Sequence, residues 1–226
     1  EGEKITIYTA GDEREEARFV ADTILENVKK GSSFSDHAVL YRMNAQSNAL
    51  ENVFARSGIA YKVIGGMRFF DRKEIKDVLA YLQLINNNND DVRLRRIINE
   101  PKRAIGDTTV GHATEIAAQL GVSVFDVIKH ADEYAALSRA TAKLKAFSAM
   151  IESLTEKAEE LSISELFEEM LSVTGYLTAL EAEGEEAQDR VDNVKEFASN
   201  IAQFELENDE PTLSAFLEEI ALVSDL

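Results

Sequence analysis

Within residues 1–64 the spacing of apolar positions changes several times. Ile5-Thr6-Ile7-Tyr8-Thr9 alternates with a period of two and reads as a strand. Residues 12–30 carry Ala17, Val20, Ile24 and Val28 at helical spacing, and Gly31-Ser32-Ser33 breaks that helix. Ala38-Val39-Leu40-Tyr41 reads as a second strand. A second helix runs through Leu50, Val53 and Phe54, with Gly58 at its C-terminal end, and Ala60-Tyr61-Lys62-Val63-Ile64 reads as a third strand. This β-α-β-α-β order predicts a partial parallel sheet with helices packed on it.

From Gly65-Gly66 onward the pattern is helical. Ile75, Val78, Leu79, Leu82 and Ile85 form one apolar stripe, and the polar run Asn86 to Asp91 reads as a loop. Later stripes pass through Leu144, Phe147, Ile151, Leu154 and Leu161, through Val194, Phe197, Ile201 and Phe204, and through Leu213, Phe216, Leu217, Ile220 and Val223. The expected fold class is therefore α/β followed by all-α, with domains at residues 1–64 and 65–226. Gly65 and Gly66 stand at the change, either as an ordinary turn or as a hinge. Both termini stop abruptly beside apolar elements and read as cut.

Composition narrows the possibilities. The 226 residues suffice for one large domain or two small ones. Cysteine is absent, which excludes disulfides and thiolate metal sites and fits a reducing cytoplasm. Neither an apolar run long enough for a membrane span nor a signal peptide is visible. The only prolines are Pro101 and Pro211, which suits a largely helical chain.

The formal net charge is −18, which argues against generic nucleic-acid binding. Its distribution changes that picture. Residues 1–64 carry a net −2, residues 65–106 a net +3 and residues 107–226 a net −19. The basic island is either chance clustering on a solvated helix or a footprint for phosphate.

No phosphate-cradling glycine loop ending in Lys-Ser/Thr is present, and no Asp-Glu pair follows an apolar strand to hold magnesium. His37, His112 and His130 are isolated, so a metal site is not expected. The acidic run from Glu181 to Glu186 reads as a solvated surface.

Two segments carry candidate chemistry. Tyr41-Arg42-Met43-Asn44-Ala45-Gln46-Ser47 lies at a predicted strand-to-helix junction. There Arg42 could pair with a phosphate and Asn44 with backbone or base; equally, Asn44 could cap the helix and Arg42 be a surface residue. Pro101-Lys102-Arg103-Ala104-Ile105-Gly106-Asp107-Thr108-Thr109 leads through a glycine turn into a helix. This is the geometry by which helix-hairpin-helix elements grip a duplex backbone, or a plain helix start capped by Asp107.

Three runs occur in order: Tyr41-Arg42 with Asn44-Ala45-Gln46-Ser47; Gly65-Gly66 with Phe69-Phe70, Arg72 and Glu74-Ile75-Lys76-Asp77; and Ile97-Ile98-Asn99 with Pro101-Lys102-Arg103 and Ile105-Gly106. Through them the whole chain resembles the UvrD/PcrA/Rep group of superfamily 1 DNA helicases. The resemblance implies that residues 1–64 are the first half of the second RecA-like domain, 2A. It implies that residues 65–226 are the helical insertion 2B, with a helix-hairpin-helix-like element. It further implies that Arg42 and Asn44 lie on the single-strand track, and that Lys76, Gly106 and Thr109 face the duplex. The basic island adds Lys102 and Arg103 to that duplex surface, and Gly65-Gly66 becomes the expected swivel.

Full members of the group couple ATP hydrolysis, with magnesium, to 3′-to-5′ movement on single-stranded DNA in repair and plasmid replication. This chain alone is expected to bind neither cofactor and to be inactive as an ATPase. The implied partners are single-stranded and duplex DNA, the remaining domains of the parent helicase, and repair or transcription proteins, with no membrane. Asn48, Gln83 and Ala104 depart from the arginine, arginine and glycine usual in the group, and each departure weakens the expected DNA contact. The competing reading is an acidic, helical protein-interaction module that does not touch DNA.

Overall fold

The computed structural model describes residues 4–224. The chain divides into two compact units, Glu1–Arg72 with Ile220–Leu226, and Lys73–Glu219.

In the first unit, α1 (Glu13–Lys29) and α2 (Ser47–Arg56) pack together. Asp12 caps α1 by accepting from the amides of Arg14 and Glu15. The core here is Ala21, Ile24, Phe54 and Ile59, flanked by Val20, Val28, Val39, Val53 and Tyr61. Gly58, at φ +67°, ends α2 in the left-handed conformation and lets Ile59 N–H reach back to Phe54 C=O. Tyr8 stacks on Phe19 with ring centroids 4.0 Å apart, and its hydroxyl donates to Glu15.

The expected parallel sheet is not there. Among the described residues no segment is a strand, and the α/β half of the predicted fold class is overturned. The three predicted strands are irregular segments without a hydrogen-bonded ladder. Val39 and Tyr61 pack against the helices, while Leu40 is 94% and Ile64 88% exposed. In the second and third segments alternation thus identified chain with one face turned inward, whereas residues 5–9 are exposed throughout. A sheet also requires neighbouring backbones to pair with, and these segments do not pair with one another.

The second unit is built around α3 (Lys73–Asn86), whose Ile75, Val78, Tyr81, Leu82 and Ile85 are all buried. α4 (Asp91–Ile97), α7 (Thr141–Lys157) and α10 (Gln188–Glu207) pack on it. α5 (Asp107–Leu120) and α6 (Val124–Lys129) lie between α4 and α7 in the chain, and α6 packs on both of them. α8 (Ile163–Thr174) and α9 (Tyr176–Glu181) precede α10, and α11 (Leu213–Ser224) follows it. The stripe positions Leu144, Phe147, Ile151, Leu154, Val194, Phe197, Ile201 and Phe204 are buried. Phe216 closes the far end, with its ring 5.9 Å from Phe197 and 5.4 Å from Phe204. Each such side chain contributes about 1.5–3 kcal/mol on burial. No helix among the described residues is long and apolar enough to cross a membrane.

Candidate nucleic-acid interface

The first candidate surface lies wholly in the first unit. Residues 44–46 form a 3-10 turn that runs directly into α2. Gln46 Oε1 accepts from the amides of Arg42 and Met43, at 3.0 and 2.9 Å, which draws the preceding chain over the turn. Arg42 and Asn44 are both exposed there.

Beneath the turn lies a buried polar group that sequence reasoning did not single out. The Arg72 guanidinium donates to Asn44 C=O at 2.9 Å and to Ser47 Oγ at 2.8 Å, and lies over the Phe69 ring. Glu51, also buried, accepts from the Phe69 amide at 3.1 Å and from the Tyr61 hydroxyl at 3.4 Å. Burial pushes the Glu51 carboxyl up, against the pull of Ser47, the Phe69 amide and Arg72. The position usually held by arginine in the helicase group, Asn48, is buried, and its Oδ1 accepts from Asn52.

Gly65 and Gly66 are exposed in the same unit, Gly65 at φ +82°. The Phe69 and Arg72 bonds to α2 lie between this pair and the border of the two units.

The second candidate surface belongs to the second unit. Lys76 lies on the exposed side of α3. One turn earlier, Lys73 Nζ reaches Glu100 at 3.3 Å, bringing the start of α3 beside the Pro101-Lys102 loop. Lys73 and Lys102 line a common cleft of about 360 Å³ with Glu74, Tyr176 and Arg190. Lys102 is exposed.

Arg103 behaves differently. Its guanidinium turns inward and donates to the carbonyls of Ile97, Ile98 and Pro101, at 3.1–3.3 Å, and to the Tyr81 hydroxyl at 2.7 Å. It also lies over the Tyr81 and Phe147 rings. Tyr81 in turn donates to Glu100 C=O at 2.5 Å, and burial pushes its phenol up to about 12. Asn99 Oδ1 accepts from the amides of Arg103 and Ile105, which closes the turn. Ala104 occupies the left-handed region at φ 55°, at the position where the helicase group usually carries glycine.

The turn delivers the chain to α5. Gly106 is its N-cap and is exposed, so no cap side chain covers the first-turn amides. Asp107 is the first helical residue and not the cap. Thr109 is half-buried, with its amide on Gly106 C=O.

A third group holds this arrangement together. Asp77, only 1% exposed, accepts from Lys73 Nζ, Arg96 Nη2 and the Tyr176 hydroxyl, each at 2.8 Å. It ties α3 to α4 and α9. Partial burial pulls the Lys73 ammonium down, but its bonds to Asp77 and Glu100 outweigh this and raise it. Tyr176 is raised by burial and by the adjacent Asp77 charge.

The features above define a helical chain with exposed basic residues, Lys102 among them just ahead in the chain of a helix start that no side chain caps. The chain belongs to the UvrD-like helicase C-terminal domain family, whose model matches residues 1–226. It is 42% identical over 228 residues to the ATP-dependent DNA helicase PcrA of Bacillus subtilis, and 42% identical over 229 residues to the PcrA of Staphylococcus aureus strain Mu50. The Staphylococcus epidermidis PcrA is 41% identical. Each alignment covers all of this chain and 31% of the relative, so the chain spans about a third of the length of the curated relatives it matches.

Proposed function

We propose that the chain is a segment of a longer ATP-dependent DNA helicase that acts in repair and replication. In this reading residues 1–64 belong to the domain called 2A and residues 65–226 to the domain called 2B. Arg42 and Asn44 contact single-stranded DNA. Lys76, Lys102, Gly106 and Thr109 contact the duplex backbone, and Arg103 shapes the turn that presents them. Gly65-Gly66 is the swivel, whose rotation must release the bonds from Phe69 and Arg72 to α2. The proposed DNA partner goes with a cytoplasmic site of action, and repair or transcription proteins are further proposed partners.

One observation carries this reading. Lys102 is exposed on a turn braced from below by Arg103 and Asn99, and that turn leads into an α5 start that no side chain caps. Helix N-termini and flanking cations bind phosphate without reading sequence.

ATP and magnesium binding are placed in other parts of the longer protein in this reading. Among the described residues no group of His, Asp or Glu is arranged to hold a metal ion, and the α5 start lacks the glycine-rich loop with a free lysine that cradles phosphates. Hydrolysis is therefore assigned to other parts of the longer protein. The test is equilibrium binding of the full-length protein to a forked DNA across a salt series. Steep weakening with salt is expected. No binding even at low salt would favour the protein-interaction module.

A further inference from the structure

We propose that Lys143, on α7, is a further phosphate-contacting residue of the duplex surface, held in place by its bond to the turn that carries Lys102. This rests on the assignment of Lys102 and the Gly106 turn to the duplex backbone.

Residues 107–226 carry a net −19, and nearly every cation among them is neutralised within the fold. Lys129 pairs with Glu152, Lys145 with Asp132, Lys157 with Glu169, Arg190 with Glu183 and Lys195 with Glu181. The other cations of this segment are Arg139 and Lys143, and neither has a carboxylate partner among the described residues. Lys143 has a neutral partner instead. Its Nζ donates to Ala104 C=O at 3.2 Å, across 39 residues of sequence. A carbonyl takes up one of the three ammonium N–H groups and leaves the charge uncancelled. The side chain is exposed, so that charge faces solvent.

The bond also fixes where the charge lies. Ala104 follows Lys102 by two residues, which span at most about 7 Å of chain. The backbone on either side of Ala104 is held by Asn99, which accepts from the amides of Arg103 and Ile105. Arg103 turns inward to Tyr81, so the turn presents Lys102 to solvent, and Lys143 adds a second cation from another helix. Asp107, exposed at the first position of α5, opposes them with one negative charge. Phosphates recur about every 3.4 Å of axis along a strand, so two cations this close can meet neighbouring phosphates of one backbone. Where the helicase group usually carries glycine this chain has Ala104, and the cation bonded to its carbonyl supplies attraction for phosphate at the same point.

The test is the salt dependence of binding to a duplex with a 3′ single-stranded tail. It compares the full-length protein with its Lys143→Ala, Lys143→Gln, Lys143→Arg, Lys145→Ala and Lys102→Ala variants. Lys143→Ala and Lys143→Gln should each reduce the slope of log affinity against log salt by about 0.9, Lys143→Arg should preserve it, and binding to the tail alone should not change. Lys145→Ala removes an equal charge two residues away, but one already paired with Asp132, and should leave the slope as in the parent. If Lys143 only braces the turn, Lys143→Ala weakens binding by the same factor at every salt concentration and leaves the slope unchanged, which overturns the proposal. Equal slope changes in Lys143→Ala and Lys145→Ala would reflect net charge without a contact, and overturn it as well. A slope lowered by Lys102→Ala but not by Lys143→Ala refutes this inference alone. Unchanged slopes in both refute the duplex assignment itself, and this inference with it.

Discussion

Lys102 and Arg103 are adjacent cations in the sequence, and replacing each with alanine should produce opposite phenotypes. Arg103 makes four hydrogen bonds, to three carbonyls and the Tyr81 hydroxyl. A hydrogen bond to a charged group contributes about 1.5–3 kcal/mol. The four are not additive, because three of the acceptors are carbonyls at 3.1–3.3 Å that water can partly satisfy once the side chain is gone. Arg103→Ala should therefore destabilise by about 3 kcal/mol, the equivalent of one or two such bonds. For a domain of this size that corresponds to a loss of roughly 6–12 °C in melting temperature. Arg103→Lys should recover only part of this, because one ammonium cannot span the acceptors. Lys102→Ala should leave the melting temperature unchanged and flatten the salt dependence of duplex binding by about one phosphate contact. Calorimetry and fluorescence anisotropy across a salt series give both readouts. Full stability in Arg103→Ala, together with a flattened salt slope, would show that Arg103 contacts DNA and that its inward bonds count for little.

Ala104→Gly should raise stability by about 0.5–1 kcal/mol, since relief of a left-handed non-glycine outweighs the added freedom of the unfolded chain; a lowered urea midpoint would contradict this. Asp77→Ala should destabilise by about 3 kcal/mol, as expected when one partner of a buried charge group is removed, and Tyr176→Phe by about 1 kcal/mol; thermal unfolding that ranks the two variants the other way would count against Asp77 as the hub. Burial holds Glu51 above the usual value of 4.5, so the folded chain binds its proton more tightly than the unfolded chain does, and this group's contribution to stability falls as pH rises through that range. Glu51→Gln should therefore gain stability relative to the parent between acid and neutral pH, and a relative loss over that interval would refute the sign.

The helices were legible because their apolar stripes match what is buried: Ile75, Val78, Leu82 and Ile85 on α3, and Val194, Phe197, Ile201 and Phe204 on α10. The sheet was misread because period-two alternation is a local property, whereas a strand exists only through its neighbours. Leu40 and Ile64 satisfy the pattern and remain exposed. The candidate surfaces were legible as segments but not as side-chain directions. Nothing in the composition of Lys102-Arg103 says that the first faces solvent and the second faces Tyr81; Asn99 and the left-handed Ala104 decide it through the path of the turn. Asp77 was one acidic residue in a basic island, yet it holds three helices. Its i,i+4 relation to Lys73 was the available signal. Glu51 and Arg72 carried no such signal, because their partners are distant in sequence.

The central claim is that the exposed cations of α3 and of the Gly106 turn serve a duplex backbone. The most direct test is the salt dependence of binding to a duplex with a 3′ single-stranded tail, for the full-length protein and its Lys76→Ala variant. Loss of one phosphate contact should reduce the slope of log affinity against log salt by about 0.9, with unwinding slowed and tail-only binding intact. An unchanged slope and unchanged unwinding, with weaker binding to the tail alone, would contradict the account.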